Sequence, residues 1–234
     1  NSTSNITVLI PTVGSITDGE GNVLVLSQTK TGPLSILNGT SESVNISYST
    51  IPSDFALGTF IKQITVNASG NQSDSATLNF ISSFCDSGEI SDKADNHRTI
   101  IINSMKDSSS DNDWEWQPLD SVEIDVKIKF NSDDSDDSIS AIIEIGLYDT
   151  VDNTFIDFAD GSDDVEKSVD VDDGDSATET FKMVVPSDME DSTSRYKLYV
   201  KVYEDGDQDL VCSDKISNDY FQNIEINKQS YSVS

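Results

Sequence analysis

The chemistry available to this chain lies first in its aspartates. Of 43 acidic residues, 32 are Asp and 11 are Glu. They gather at 107–113, at 133–137, at 160–164, in Asp170-Val-Asp-Asp-Gly-Asp175 and in Asp205-Gly-Asp-Gln-Asp209. Ca²⁺ takes about six to eight hard oxygens, and short carboxylates around a glycine turn can supply several of them. The two Asp-Gly segments come nearest to that form. Asp170, Asp172 and Asp175 in one, and Asp205, Asp207 and Asp209 in the other, are the candidate ligands, with calcium as the candidate ion. Neither segment has the EF-hand spacing with a glutamate at its twelfth position. The competing reading is a solvated, salt-adapted surface whose aspartates also form turns.

The remaining reactive side chains are few. Cys85 and Cys212 stand 127 positions apart, which excludes a CxxC metal or redox motif. An even cysteine count in a secreted chain favours a disulfide, and two separate buried thiols are the alternative. The one histidine, His97, lies in the polar run Asp95-Asn-His-Arg98 and reads as a surface loop residue. There is no Gly-x-Ser-x-Gly elbow, no phosphate-cradling glycine loop and no zinc ligand set. Carboxylates alone do not make a glycosidase, because a raised pKa needs an apolar pocket and these acids sit in polar loops. The expectation is that the chain is not an enzyme. Trp114-Glu-Trp116 reads either as a sugar-stacking or subunit-contact patch or as packing at the end of a sandwich.

Charge and sequons divide the chain at one place. Residues 1–85 hold five acids and two bases, net -3; the other 38 acids and 12 bases give residues 86–234 a net -26. All six Asn-x-Ser/Thr triplets lie in the first part, at Asn1, Asn5, Asn38, Asn45, Asn67 and Asn71. They point to an N-glycosylated, outward-facing first part, and the competing reading is that a polar β-protein simply contains many such triplets. The whole chain, 234 residues at net charge -29, has no cluster of Lys and Arg to displace counterions from nucleic acid. No run of about 18 apolar residues is present to cross a membrane as a helix. The first residue, Asn1, reads as the start of a trimmed product.

The elements that must position these groups read as strands. Ser121 to Phe130 alternates strictly, every even position apolar, as a half-buried antiparallel strand does. Ile139 to Tyr148 is apolar on both faces near its middle. Thr99–Met105, Phe155–Phe158, Ala177–Val185, Arg195–Tyr203 and Phe221–Ile226 complete about seven strands separated by polar turns. The first part offers Ile6–Ile10, Val23–Leu26, Leu34–Leu37, Val44–Tyr48, Thr59–Val66 and Ala76–Ile81, punctuated by glycines. The fold class is all-β. Two tandem immunoglobulin-like β-sandwich domains are expected, a sequon-rich one over 1–84 and an acidic one over 85–234.

The second part carries Cys85-Asp-Ser-Gly-Glu89, Trp116-Gln-Pro-Leu-Asp120, Val122-Glu-Ile-Asp-Val126, Ile145-Gly-Leu-Tyr-Asp149, Val185-Pro186, Tyr196-Lys-Leu-Tyr-Val-Lys-Val-Tyr-Glu-Asp205 and Cys212. On these residues it resembles the immunoglobulin-like domains of archaeal surface-layer (S-layer) proteins. Those in turn resemble adhesion-type (NEW3) modules, to which Ile51-Pro-Ser-Asp-Phe55 and Leu57-Gly-Thr-Phe60 of the first part are similar. The resemblance covers residues 85–227 well and 5–84 loosely, and its motifs are framework residues. It implies a secreted, cell-surface structural glycoprotein that self-associates with identical subunits in an S-layer lattice. The alternatives are an extracellular filament or pilus subunit that donates its N-terminal strand to a neighbour, or an adhesive, carbohydrate-binding module.

Overall fold

The computed structural model describes residues 5–19, 21–48, 51–52, 55–85, 97–109, 114–159, 164–206, 211–216 and 219–228. Every regular element among them is a strand. The chain divides into two compact units, Asn1–Ser82 and Ser83–Ser234.

The first unit contains β1 (Ile6–Ile10), β2 (Ser15–Thr17), β3 (Val23–Gln28), β4 (Gly32–Ile36), β5 (Ile46–Tyr48), β6 (Gly58–Ala68) and β7 (Gln72–Ser82). One sheet runs β4-β1-β6-β7 and the other β2-β3-β5. β1 is an inner strand of its own sheet, with Val8 opposite Leu34 of β4 and Ala68 of β6. The core is small: Ile16, Leu24 and Phe55 are buried, and Leu26, Ile51, Phe60 and Phe80 pack against them. Asp18 pins the β2–β3 turn to the segment before β6. Its carboxylate accepts the amides of Gly21 and Asn22 at 2.9 and 2.8 Å, and that of Ala56 at 3.0 Å. Gly21, at φ +97°, takes a backbone conformation that a side chain would resist. The short β2-β3-β5 sheet covers only the Phe60–Phe80 end of its partner. Val8, Ile64, Val66 and Leu78 therefore remain half-buried rather than enclosed.

The second unit contains β8 (Thr99–Asp107), β9 (Glu115–Trp116), β10 (Ser121–Asn131), β11 (Ser138–Asp149), β12 (Thr154–Ile156), β13 (Asp164–Asp172), β14 (Ser176–Val184), β15 (Ser192–Glu204), β16 (Cys212–Ser213) and β17 (Gln222–Ile226). One sheet runs β14-β10-β8; the other runs β12-β11-β15-β17-β9, with β13 also on β11 and β16 on β15. Both line a single core, the arrangement of a β-sandwich. The alternation of β10 delivers Val122, Ile124, Val126, Ile128 and Phe130 into it, each at most 2% exposed. Ile143, Ile145 and Leu147 of β11 and Leu198, Val200 and Val202 of β15 face them from the other sheet.

The middle of the larger sheet is buried on both faces. Its second face is roofed by rings: Phe155 lies 5.0 Å from Phe84 and 5.2 Å from Tyr148, and Tyr199 lies 5.7 Å from Phe221. Gly146 is the floor beneath Phe155, where a Cβ would come within 2.4 Å of the ring. Glu144 and Lys201 are buried under this roof and pair at 3.0 Å, with the Lys201 ammonium 4.5 Å from the Phe84 ring centre. Burial pushes the Tyr199 hydroxyl well above the ordinary tyrosine range.

Candidate functional site: the acidic end of the second unit

Asp170 and Asp172 do not lie in a loop. They are exposed residues of β13, alternating with half-buried Val169 and buried Val171, and they stand opposite Ser140 and Ser138 of β11. Alternation puts both carboxylates on one face, about 7 Å apart along the strand. The expectation of a ligand loop at Asp170 and Asp172 is corrected: Val165, Val169 and Val171 supply an apolar face that makes residues 164–172 a strand. Asp175 is in the turn after β13, where Gly174 takes φ +77°. Asp205 follows β15, and its amide donates to the Ser140 carbonyl at 2.8 Å. Through Ser140, register brings Asp170 and Asp205 to one end of the unit. Asp207 and Asp209 lie outside the described residues. Among the described residues, no group of three or more His, Cys, Asp or Glu is arranged to hold a metal ion.

What organises this end is Arg98, which the sequence did not single out. Its guanidinium grips Glu204 with two hydrogen bonds of 2.8 Å, from Nη1 and Nη2. Its Nε sits 3.1 Å from Asp137 in the β10–β11 connection. The Asp137 carbonyl in turn accepts the amide of Asp173. One cation thus joins the ends of β8 and β15 to the loop between β10 and β11. It acts as an internal counterion where acidic segments meet. Beside it, His97 Nδ1 pairs with Asp133 at 2.6 Å, both side chains well exposed.

The only other arginine does the same at a second place. Arg195 binds Asp149 through Nε at 2.8 and 2.9 Å, and meets Asp152 and Glu190 at 2.9 and 2.5 Å. Burial opposes ionisation of Asp149. The Arg195 hydrogen bonds and the amides of Val151 and Asp152 outweigh it and hold the carboxyl below its ordinary range. The sequence signal was scarcity: two arginines among 43 acids.

Cys85 and Cys212 form a disulfide, with Cα atoms 6.1 Å apart. Asp214 is buried beside it, and its carboxylate accepts the amides of Phe84 and Cys85 at 2.7 and 3.2 Å. Trp116 is buried, with its indole N–H donating to Asp107 at 2.8 Å. Trp114 is half-buried against the core at a ring distance of 6.4 Å from Trp116. Asn5, Asn38, Asn45, Asn67 and Asn71 are all exposed, whereas Asn1 is outside the described residues. Asn71 also has a backbone reason to be asparagine: it sits in the β6–β7 turn at φ +58°, which Asn tolerates better than most residues.

These features define an all-β, disulfide-bridged protein with no helix among the described residues long and apolar enough to cross a membrane. No family model and no curated protein matches the chain. Among solved structures it is similar to the sporulation control protein Spo0M from Bacillus subtilis, at 10% identity and a TM-score of 0.31. That similarity covers 55% of this chain, and it spans about half, 49%, of Spo0M.

Proposed function

We propose that the chain is a non-catalytic structural subunit of an extracellular, cell-surface assembly of the S-layer type, with both units acting as immunoglobulin-like modules. The observation that carries this reading is the uneven surface. The first unit has a net charge of -3, every sequon, and most of the exposed large apolar side chains: Ile6, Leu9, Val23, Val25, Leu37, Tyr48, Ile61 and Ile81. Among the described residues, the second unit, at -26, exposes only Ile101, Leu119 and Val151 of that kind. A coat of like charge keeps the second unit hydrated and repels copies of itself, so association falls to the first. The disulfide supports an oxidising compartment. The chain's one imidazole, occupied in an exposed pair with Asp133, supports a non-catalytic role.

Calcium belongs to this proposal as a counter-ion that lets acidic surfaces approach. Sedimentation velocity over a concentration series, with electron microscopy of the concentrated protein, tests the reading. Oligomers growing into sheets or fibres are expected. A monomer at every concentration and salt would sink it.

A further inference from the structure

Among the described residues, the first unit leaves one long sheet edge open. In the order β4-β1-β6-β7 the edges are β4 and β7. β4 has five residues and carries Pro33, which has no N–H to offer a neighbour. β7 has eleven residues and runs in unbroken register along β6, from Gly58 opposite Ser82 to Ala68 opposite Gln72. It contains no bulge, proline, lysine or arginine, and Asp74 is its one charge. These are the devices that normally blunt an edge, and β7 lacks all but that single carboxylate.

The second unit treats its own edge differently. On β14, the Thr180 carbonyl accepts the Lys167 ammonium at 2.5 Å, and the Val184 carbonyl accepts the Ala159 amide at 3.0 Å. Beside β7 lies an open groove of about 730 Å³, lined by half-buried Val8, Val66 and Ala68 and by Gln72 and Asp74.

We propose that β7 is the self-association edge, and that its occupant is β7 of a second copy of this chain, added antiparallel across a two-fold axis. The proposal rests on the assembly reading and names the edge it uses. Three observations select a second copy. A partner must approach a chain of net charge -29, and the first unit, at -3, is where two copies meet at least cost. Antiparallel pairing of β7 with itself satisfies the outward N–H and C=O groups of both edges at once, the self-complementarity a two-fold contact needs. The strand's midpoint is Thr77, so a centred pairing sets Asp74 opposite Phe80 of the second copy rather than opposite another Asp74.

The test uses the full chain, with sedimentation velocity at 0.15 M and 1 M NaCl. Wild type is compared with Thr77→Lys, which sets two ammonium groups against each other at an exposed position, and with Val151→Lys in the second unit as control. The dimer dissociation constant should rise at least tenfold in T77K and stay within twofold in V151K, with the melting temperature of both variants unchanged. Thr77→Cys should cross-link copies on oxidation, while Cys85–Cys212 persists. Association of T77K as strong as wild type, or a dimer that T77C does not cross-link, overturns the β7 edge and leaves the assembly reading standing. A monomeric wild type that binds a synthetic Gln72–Ser82 peptide assigns the edge to a foreign strand and overturns the second copy. A monomeric wild type that binds no such peptide sinks both readings.

Discussion

Asp149 and Arg195 lie 46 residues apart in sequence and meet at the end of the β11–β15 ladder, where both oxygens of the carboxylate accept from the guanidinium. Asp149 is 4% exposed, so the pair is the chief electrostatic closure at that end of the sandwich. Replacing Asp149 with Asn should lower the stability of the second unit by about 2–3 kcal/mol. That is below the roughly 3–5 kcal/mol of a fully buried pair, because Arg195 keeps Asp152 and Glu190. Chemical denaturation monitored by tryptophan fluorescence measures it, since Trp114 and Trp116 both belong to this unit.

The same pair sets an acid limit. The folded-state pKa of Asp149 lies below its ordinary value of 3.8, so its stabilisation is fully present above that value. It is lost as pH falls through the lowered folded value. Wild type and D149N should therefore differ most above pH 4 and converge in stronger acid. A gap that widens on acidification would contradict the assignment.

Reduction should separate the two units. A loop of 127 residues closed by the Cys85–Cys212 bond is worth about 4–5 kcal/mol in the chain-entropy account. A reductant should lower the melting transition of the second unit and leave that of the first, which has no cysteine, in place. Calorimetry with and without reductant reads both transitions.

Deleting residues 1–11 should unfold the first unit. β1 lies between β4 and β6 and supplies ladder partners to both, so its loss leaves two facing edges and opens the sheet. A truncated protein that keeps the first unit's melting point and loses only assembly would instead mark β1 as a strand given to a neighbour.

Calcium chloride should raise the melting temperature of the second unit more than that of the first. A ligand bound only to the folded state at a hundred times its Kd adds about 2.7 kcal/mol. Sodium chloride at matched ionic strength is the control, and a sodium series that reproduces the whole gain removes the need for a specific site.

Much of the all-β fold was legible because alternation is a local signal. Val122 to Phe130 announces its face with no knowledge of its partners. β13 is hidden by composition: Glu166, Asp170 and Asp172 read as charge, and Lys167 interrupts the apolar half of the pattern, Val165, Val169 and Val171. β2, β9 and β16 have two or three residues each, too short for any period to register. The arginine clamps were illegible for another reason. Arg98 reaches Glu204 across 106 residues, and only sheet register determines that such distant groups meet. The open edge of β7 likewise has no linear mark, since an edge is defined by which strand is absent from its side.

The bond between Cys85 and Cys212 also governs how the chain would respond to being pulled. The 127 residue steps it closes would span about 430 Å if drawn straight, yet their ends are held 6.1 Å apart. Tension entering at residue 85 passes through sulfur to residue 212 and bypasses almost all of the second unit. The segment between the two cysteines can be neither unravelled nor lengthened while the bond lasts, so the first unit and the stretch beyond residue 212, with β17, become the extensible parts of the tether. In a single-chain stretching trace the long step should appear only after reduction.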